Sequence, residues 1–120
     1  MAYDNPKVNG IDFTAIALFD VITESTTSRT LSTDDGGTYI RCTNASPVTI
    51  TVPTDATEGW STELEILIEQ AGNGQVTVSA AGGVTINTSE TLKTEKQYSV
   101  IGLKRVGSDT WTLFGERELL

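Results

Sequence analysis

The chain has 120 residues, which is one domain by size, and at that length folding hides roughly two thirds of the extended chain's surface, enough for a modest core without staples. Sixteen acidic against eight basic residues give a net charge of −8, which disfavours nucleic acid because phosphate binding is driven by Lys and Arg. Histidine is absent, which removes the commonest general base, the usual activator of a nucleophilic serine and the commonest zinc ligand, so no catalytic, cofactor or metal residues are assigned and the chain is not read as an enzyme.

Twenty threonines, eleven glycines and only 7% aromatic residues favour pleated, turn-rich structure over helix. No basic start is followed by an apolar stretch of export-signal type, and the longest near-apolar run, Ala15 to Phe19, is too short to cross a bilayer. The expectation is a soluble protein with no membrane partner.

Residues 1–25 read as an N-terminal arm. Within IDFTAIALFDVI, Ile11, Phe13, Ala15, Ala17, Phe19 and Val21 alternate as in a strand, while Ala15, Leu18, Phe19 and Ile22 fit one helical stripe. Apolar residues on both sides require two coverings, from the same domain or from another chain. Ile11, Phe13, Ile16, Leu18, Phe19 and Ile22 are therefore the candidate partner-binding residues.

Residues 26–120 read as an all-β domain, with short strands at Thr30–Leu31, Tyr39–Thr43, Val48–Val52, Thr62–Gln70, Gln75–Ala80, Val84–Asn87, Gln97–Val106 and Thr110–Phe114. About eight such strands suggest an antiparallel β-sandwich or jelly roll. The sequence ELEILIEQAGNGQVTV reads as a β-hairpin: Leu64, Ile66 and Ile68 face one side, Glu63, Glu65 and Glu69 the other, and beyond Gly72-Asn73-Gly74 the residues Val76 and Val78 continue the apolar face. A slip of alternation near Gly102 predicts a bulge there. No repeat of 20 to 50 residues of the solenoid type is apparent.

Possible sites each have a plainer reading. Glu63, Glu65 and Glu69 are taken as a solvated strand face rather than catalytic or cation-binding carboxylates. Asp34 and Asp35 are taken as turn residues, and Asn44-Ala45-Ser46, followed by Pro47, is not taken as a glycosylation site. Cys42, in the run YIRC, is expected to be a buried structural residue. Trp60 lies in the loop Thr54 to Ser61, either as a lid on the core or as a contact to a sugar or protein.

The order of RTLSTDDGGTYIRC, SPVTITVP, ELEILIEQAGNGQVTVSAAGGVTIN and KQYSVIGLKRVGSDTWTLFGE resembles the small β-sandwich module of tailed-bacteriophage structural proteins. The resemblance runs from about Arg29 to Glu116, and its most specific pieces are Asp35-Gly36, Thr51-Val52-Pro53, Gln70 to Gly74 and Asp109-Thr110-Trp111. It implies a capsid decoration (cement) protein on the outside of the virion, bound to the major capsid protein and self-associating, with a trimer favoured over a dimer. The alternative it implies is a tail-fibre or tail-associated module that binds host surface glycan. A chain running from Met1 to just past the module favours decoration.

Overall fold

The computed structural model describes residues 19–120 in full, and residues 7–8 and 11–12 as backbone. Lys7–Val8 (β1) and Ile11–Asp12 (β2) pair as a minimal antiparallel hairpin. The main body then runs through β3 (Asp20–Glu24), β4 (Ser28–Thr30), β5 (Thr38–Cys42), β6 (Val48–Val52), the single turn α1 (Asp55–Glu58), β7 (Glu65–Gln70), β8 (Val76–Ala80), β9 (Thr85–Asn87), β10 (Val100–Gly107) and β11 (Thr110–Gly115).

Alternation places most of these strands correctly, but their pairing overturns the antiparallel sandwich or jelly roll. β3, β5 and β7 stack in parallel, and so do β4, β6 and β8 in a separate sheet. Successive strands thus belong to opposite sheets, and the chain winds as a β-solenoid of about three turns. β7 and β8, read above as a hairpin, are two walls of one turn, and Ala71 to Gln75 is the corner between them.

The solenoid repeat is present in the sequence once register is known. Tyr39 lies opposite Leu67 and Val48 opposite Val76 at the same sequence offset, so TYIRCTNASPVTITV stacks on ILIEQAGNGQVTVSA. The expectation of no such repeat is therefore corrected. Between the sheets Ile22, Ile40, Ile68 and Ile101 form one apolar ladder, and Val48 with Val76 and Ile50 with Val78 form others. The fully buried Ile, Leu and Val side chains stabilise the fold by about 1.5–3 kcal/mol each before entropy is charged.

The corners stack as closely as the walls. A Cβ on Gly72 would strike the carbonyls of Thr43 and Asn44, and one on Gly74 the carbonyl of Ser46, so only glycine lets corner 71–75 lie on corner 43–47. The Gly74 amide donates to the Asn44 carbonyl, and the Asn44 side-chain amide donates onward to the Ser25 carbonyl of the first corner.

One end of the solenoid is closed. β10 adds antiparallel to β7, β11 to β10, and β9 parallel to β11, while residues 91–94 lie along β8. There Thr94 is fully buried, and its hydroxyl donates to the Gln70 side chain and accepts from the Val76 amide. At the other end, among the described residues, no strand pairs with the outer edge of β3 or β4.

Two local expectations change. The ladders pass through Gly102 without a break, and the irregularity lies instead between Arg105 and Gly107. Gly102 carries no side chain because the Phe114 ring lies where its Cβ would be. Residues 20–24, assigned by sequence to the arm, form β3, and Ile22 packs on the core.

Candidate interaction face

Alternation turns one side chain in two away from the core, and the register aligns the outward ones. Val21 pairs with Tyr39, Tyr39 with Leu67, Leu67 with Gly102, and Gly102 with Phe114. Five strands therefore carry one apolar row across the outer face of the larger sheet. Val21 is 65% exposed and Phe114 39%, while Tyr39 and Leu67 are half-buried by their neighbours. Sequence reasoning missed the row because its members are far apart in the chain, although each is the residue beside a core position.

Charged residues flank it. One register step along, Arg41 on β5 pairs with Glu69 on β7, with Arg41 Nε 2.7 Å from Glu69 Oε1. Burial and the Glu69 carboxylate push the Tyr39 hydroxyl up from its ordinary value, which keeps that ring neutral beside the ion pair. Tyr98, 62% exposed and held at a positive φ, lies just before β10. On the opposite flank Glu65 of β7 lies opposite Lys104 of β10.

Two further polar groups brace the scaffold. Arg29 bridges the Glu24 and Asp35 carboxylates, with Nη1 2.9 Å from Glu24 and Nη2 2.5 Å from Asp35, which also accepts the Ser32 amide. Desolvation opposes the Glu24 charge, but hydrogen bonds from Thr26 and Arg29 outweigh it and hold its carboxyl below the ordinary value. Asp35, expected to be a plain turn residue, is thus a buried charge partner at the end of a 3-10 turn over Thr33–Asp35. At the other side Asp55 accepts from Arg105 at 2.6 Å and from the Asp109 amide, tying α1 to the β10–β11 turn.

Of the candidate residues predicted from sequence, Phe13, Ile16 and Leu18 lie outside the described residues, as does the Ile11 side chain. Phe19 is exposed, with a positive φ, and its amide donates to the Gly37 carbonyl. Trp60 is 4% exposed and meets Trp111 edge to face, ring centroids 5.1 Å apart, so it serves as the lid on the core and cannot contact a ligand from a loop. Cys42 is buried, and desolvation pushes its thiol up to about 12. Glu69 is committed to Arg41, whereas Glu63 is exposed.

Among the described residues there is no group of three or more potential metal ligands and no helix long and apolar enough to span a membrane. No pocket opens among them. No family model, no curated protein and no solved structure matches this chain.

Proposed function

We propose that the chain is a decoration protein of a tailed-bacteriophage head, attached to the outer surface of the major capsid protein shell and stabilising it. The observation that carries the reading is the asymmetry of the solenoid. Its last turn is closed by β10 and by residues 91–94, whereas among the described residues the outer edges of β3 and β4 have no strand beside them. Exposed edges are templates for pairing, and solenoid ends are normally capped. In sequence the apolar run Phe13 to Leu18 leads directly into that end.

Attachment then joins two effects. Burying apolar side chains of residues 11–18 against a shell supplies about 25 cal/mol per Å² before ordering costs, and pairing at β3 fixes orientation. Repetition over a symmetric shell converts a modest site into lattice reinforcement. The alternative, a tail module that grips host glycan through Trp60, loses that residue to the core.

The test is co-sedimentation with shells lacking decoration. The wild-type chain is expected to pellet with them, and a Phe13→Asp/Ile16→Asp variant is expected to remain in the supernatant while keeping the wild-type thermal transition. No pelleting of the wild type contradicts the reading.

A further inference from the structure

The outer face carries an arrangement that the shell-binding end does not need. Its apolar row, Val21, Tyr39, Leu67 and the Phe114 ring over Gly102, crosses five strands, and beside it Arg41 and Glu69 sit at one level on the adjacent strands β5 and β7. On this flank, away from Glu65 and Lys104, one pair of opposite charges on neighbouring strands next to a continuous apolar row is self-complementary under a two-fold rotation.

Consider an axis running along the strands, midway between β5 and β7. Rotation by a half-turn about it lays β5 of one copy over β7 of another and leaves positions along the strands unchanged. Tyr39 then faces Leu67 of the second copy, and Val21 faces Gly102 beneath its Phe114 ring. Arg41 faces Glu69 of the second copy, and Glu69 faces its Arg41. Other placements lose this match. An axis across the strands, along the row, brings Glu69 over Glu65, two like charges. An axis along β7 itself brings Arg41 over Val100.

We propose that this face docks a second copy of the same chain, as an isologous dimer in which each Arg41–Glu69 pair becomes part of a four-charge array. Two sheets packed this way lie about 10 Å apart with side chains interleaved. The apolar row supplies the contact and the charges set the register, since like-charged alignments are disfavoured. The inference does not depend on shell binding, because the residues involved are not those placed at the open end, apart from Val21, which β3 shares.

The test uses charge exchange between chains. Arg41→Glu places two carboxylates, at 41 and 69, on one face, and Glu69→Arg places two guanidinium groups there, so each variant alone repels itself. Mixed in equal amounts, their faces are complementary at both positions, although neither chain holds an ion pair of its own. Sedimentation is expected to show a wild-type dimer, monomers for each variant alone, and a one-to-one heterodimer on mixing. Both residues lie on the outer face, Arg41 42% and Glu69 12% exposed in their side chains, so neither exchange touches the core and both variants are expected to stay folded, which their thermal transitions check.

Val21→Lys provides an independent arm. The side chain is exposed at the sheet edge and its loss leaves the core untouched, but it is expected to weaken self-association about thirtyfold or more. A wild-type chain that stays monomeric, a variant mixture that stays monomeric, or an oligomer insensitive to all three changes overturns the proposal.

Discussion

Gly74 lies against the Ser46 carbonyl so closely that a Cβ there would be inside van der Waals contact, and this single relationship fixes how the third corner stacks on the second. Gly74→Ala is expected to destabilise the fold by about 3 kcal/mol, because the obstructing atoms are backbone and cannot swing aside. Gly82→Ala, where a Cβ meets open space, is expected to be neutral or stabilising by about 0.5 kcal/mol. Urea midpoints of the two variants check this. In a hairpin turning at Gly72-Asn73-Gly74, Gly74 would not touch residues 43–46, so equal effects at 74 and 82 would contradict corner stacking.

Trp60 and Trp111 act as one unit over the end of the core. Trp60→Ala is expected to lower stability by about 3–5 kcal/mol. A tryptophan reserved for binding would leave the thermal transition in place, so calorimetry of the variant separates the two roles.

Cys42 is expected to be inert to thiol reagents in the native state. Its thiol, pushed up to about 12 by desolvation and by the nearby Glu24 charge, holds almost no thiolate at neutral pH, and its sulfur is buried. Labelling with an aromatic disulfide is expected to proceed only at the rate of global opening and to become fast in denaturant.

Acid is expected to loosen the scaffold at its braces. The Glu24 carboxyl is held below its ordinary value of 4.5 and the Asp55 carboxyl, through its hydrogen bond from Arg105, below 3.8. A carboxyl with a lowered pKa binds fewer protons folded than unfolded, so its contribution is complete above the ordinary value and disappears as pH falls through the lowered one. The urea midpoint is expected to hold steady down to about pH 5 and to decline below it. Glu24→Gln is expected to start from a lower plateau and to decline less steeply.

Truncation separates the first turn from what precedes it. Removing residues 1–18 is expected to leave the thermal transition nearly unchanged, since β3 begins at Asp20. Removing residues 1–24 deletes the Ile22 contact with the core and the Glu24 partner of Arg29, and is expected to lower the transition clearly. The sequence reading, with an arm ending at residue 25, predicts no loss even on removal of residues 1–22.

Strand positions were legible because alternation depends only on which side chains are buried: Ile66, Ile68, Val76 and Val78 are core residues as read. The pairing was not legible. Period-two alternation is the same in an antiparallel hairpin and in two walls of a solenoid turn, and Gly72-Asn73-Gly74 suits either a tight turn or a stacked corner. The distinguishing signal lay in comparing PVTITV with QVTVSA and finding equal spacing back to YIRC and LIEQ. The outer row was hidden for a related reason, because only register brings Val21, Tyr39, Leu67 and Phe114 to one level. Trp60 was ambiguous because an aromatic in a loop can point either way, and here its partner, Trp111, lies on a strand distant in sequence.

The most direct test of attachment through the open first turn is amide hydrogen exchange of the chain, free and bound to decoration-free shells. Protection is predicted to rise at β3 and β4, from Asp20 to Thr30, with little change along residues 91–94 at the closed end. Unchanged exchange in β3 and β4, with new protection confined to the closed end, would contradict it.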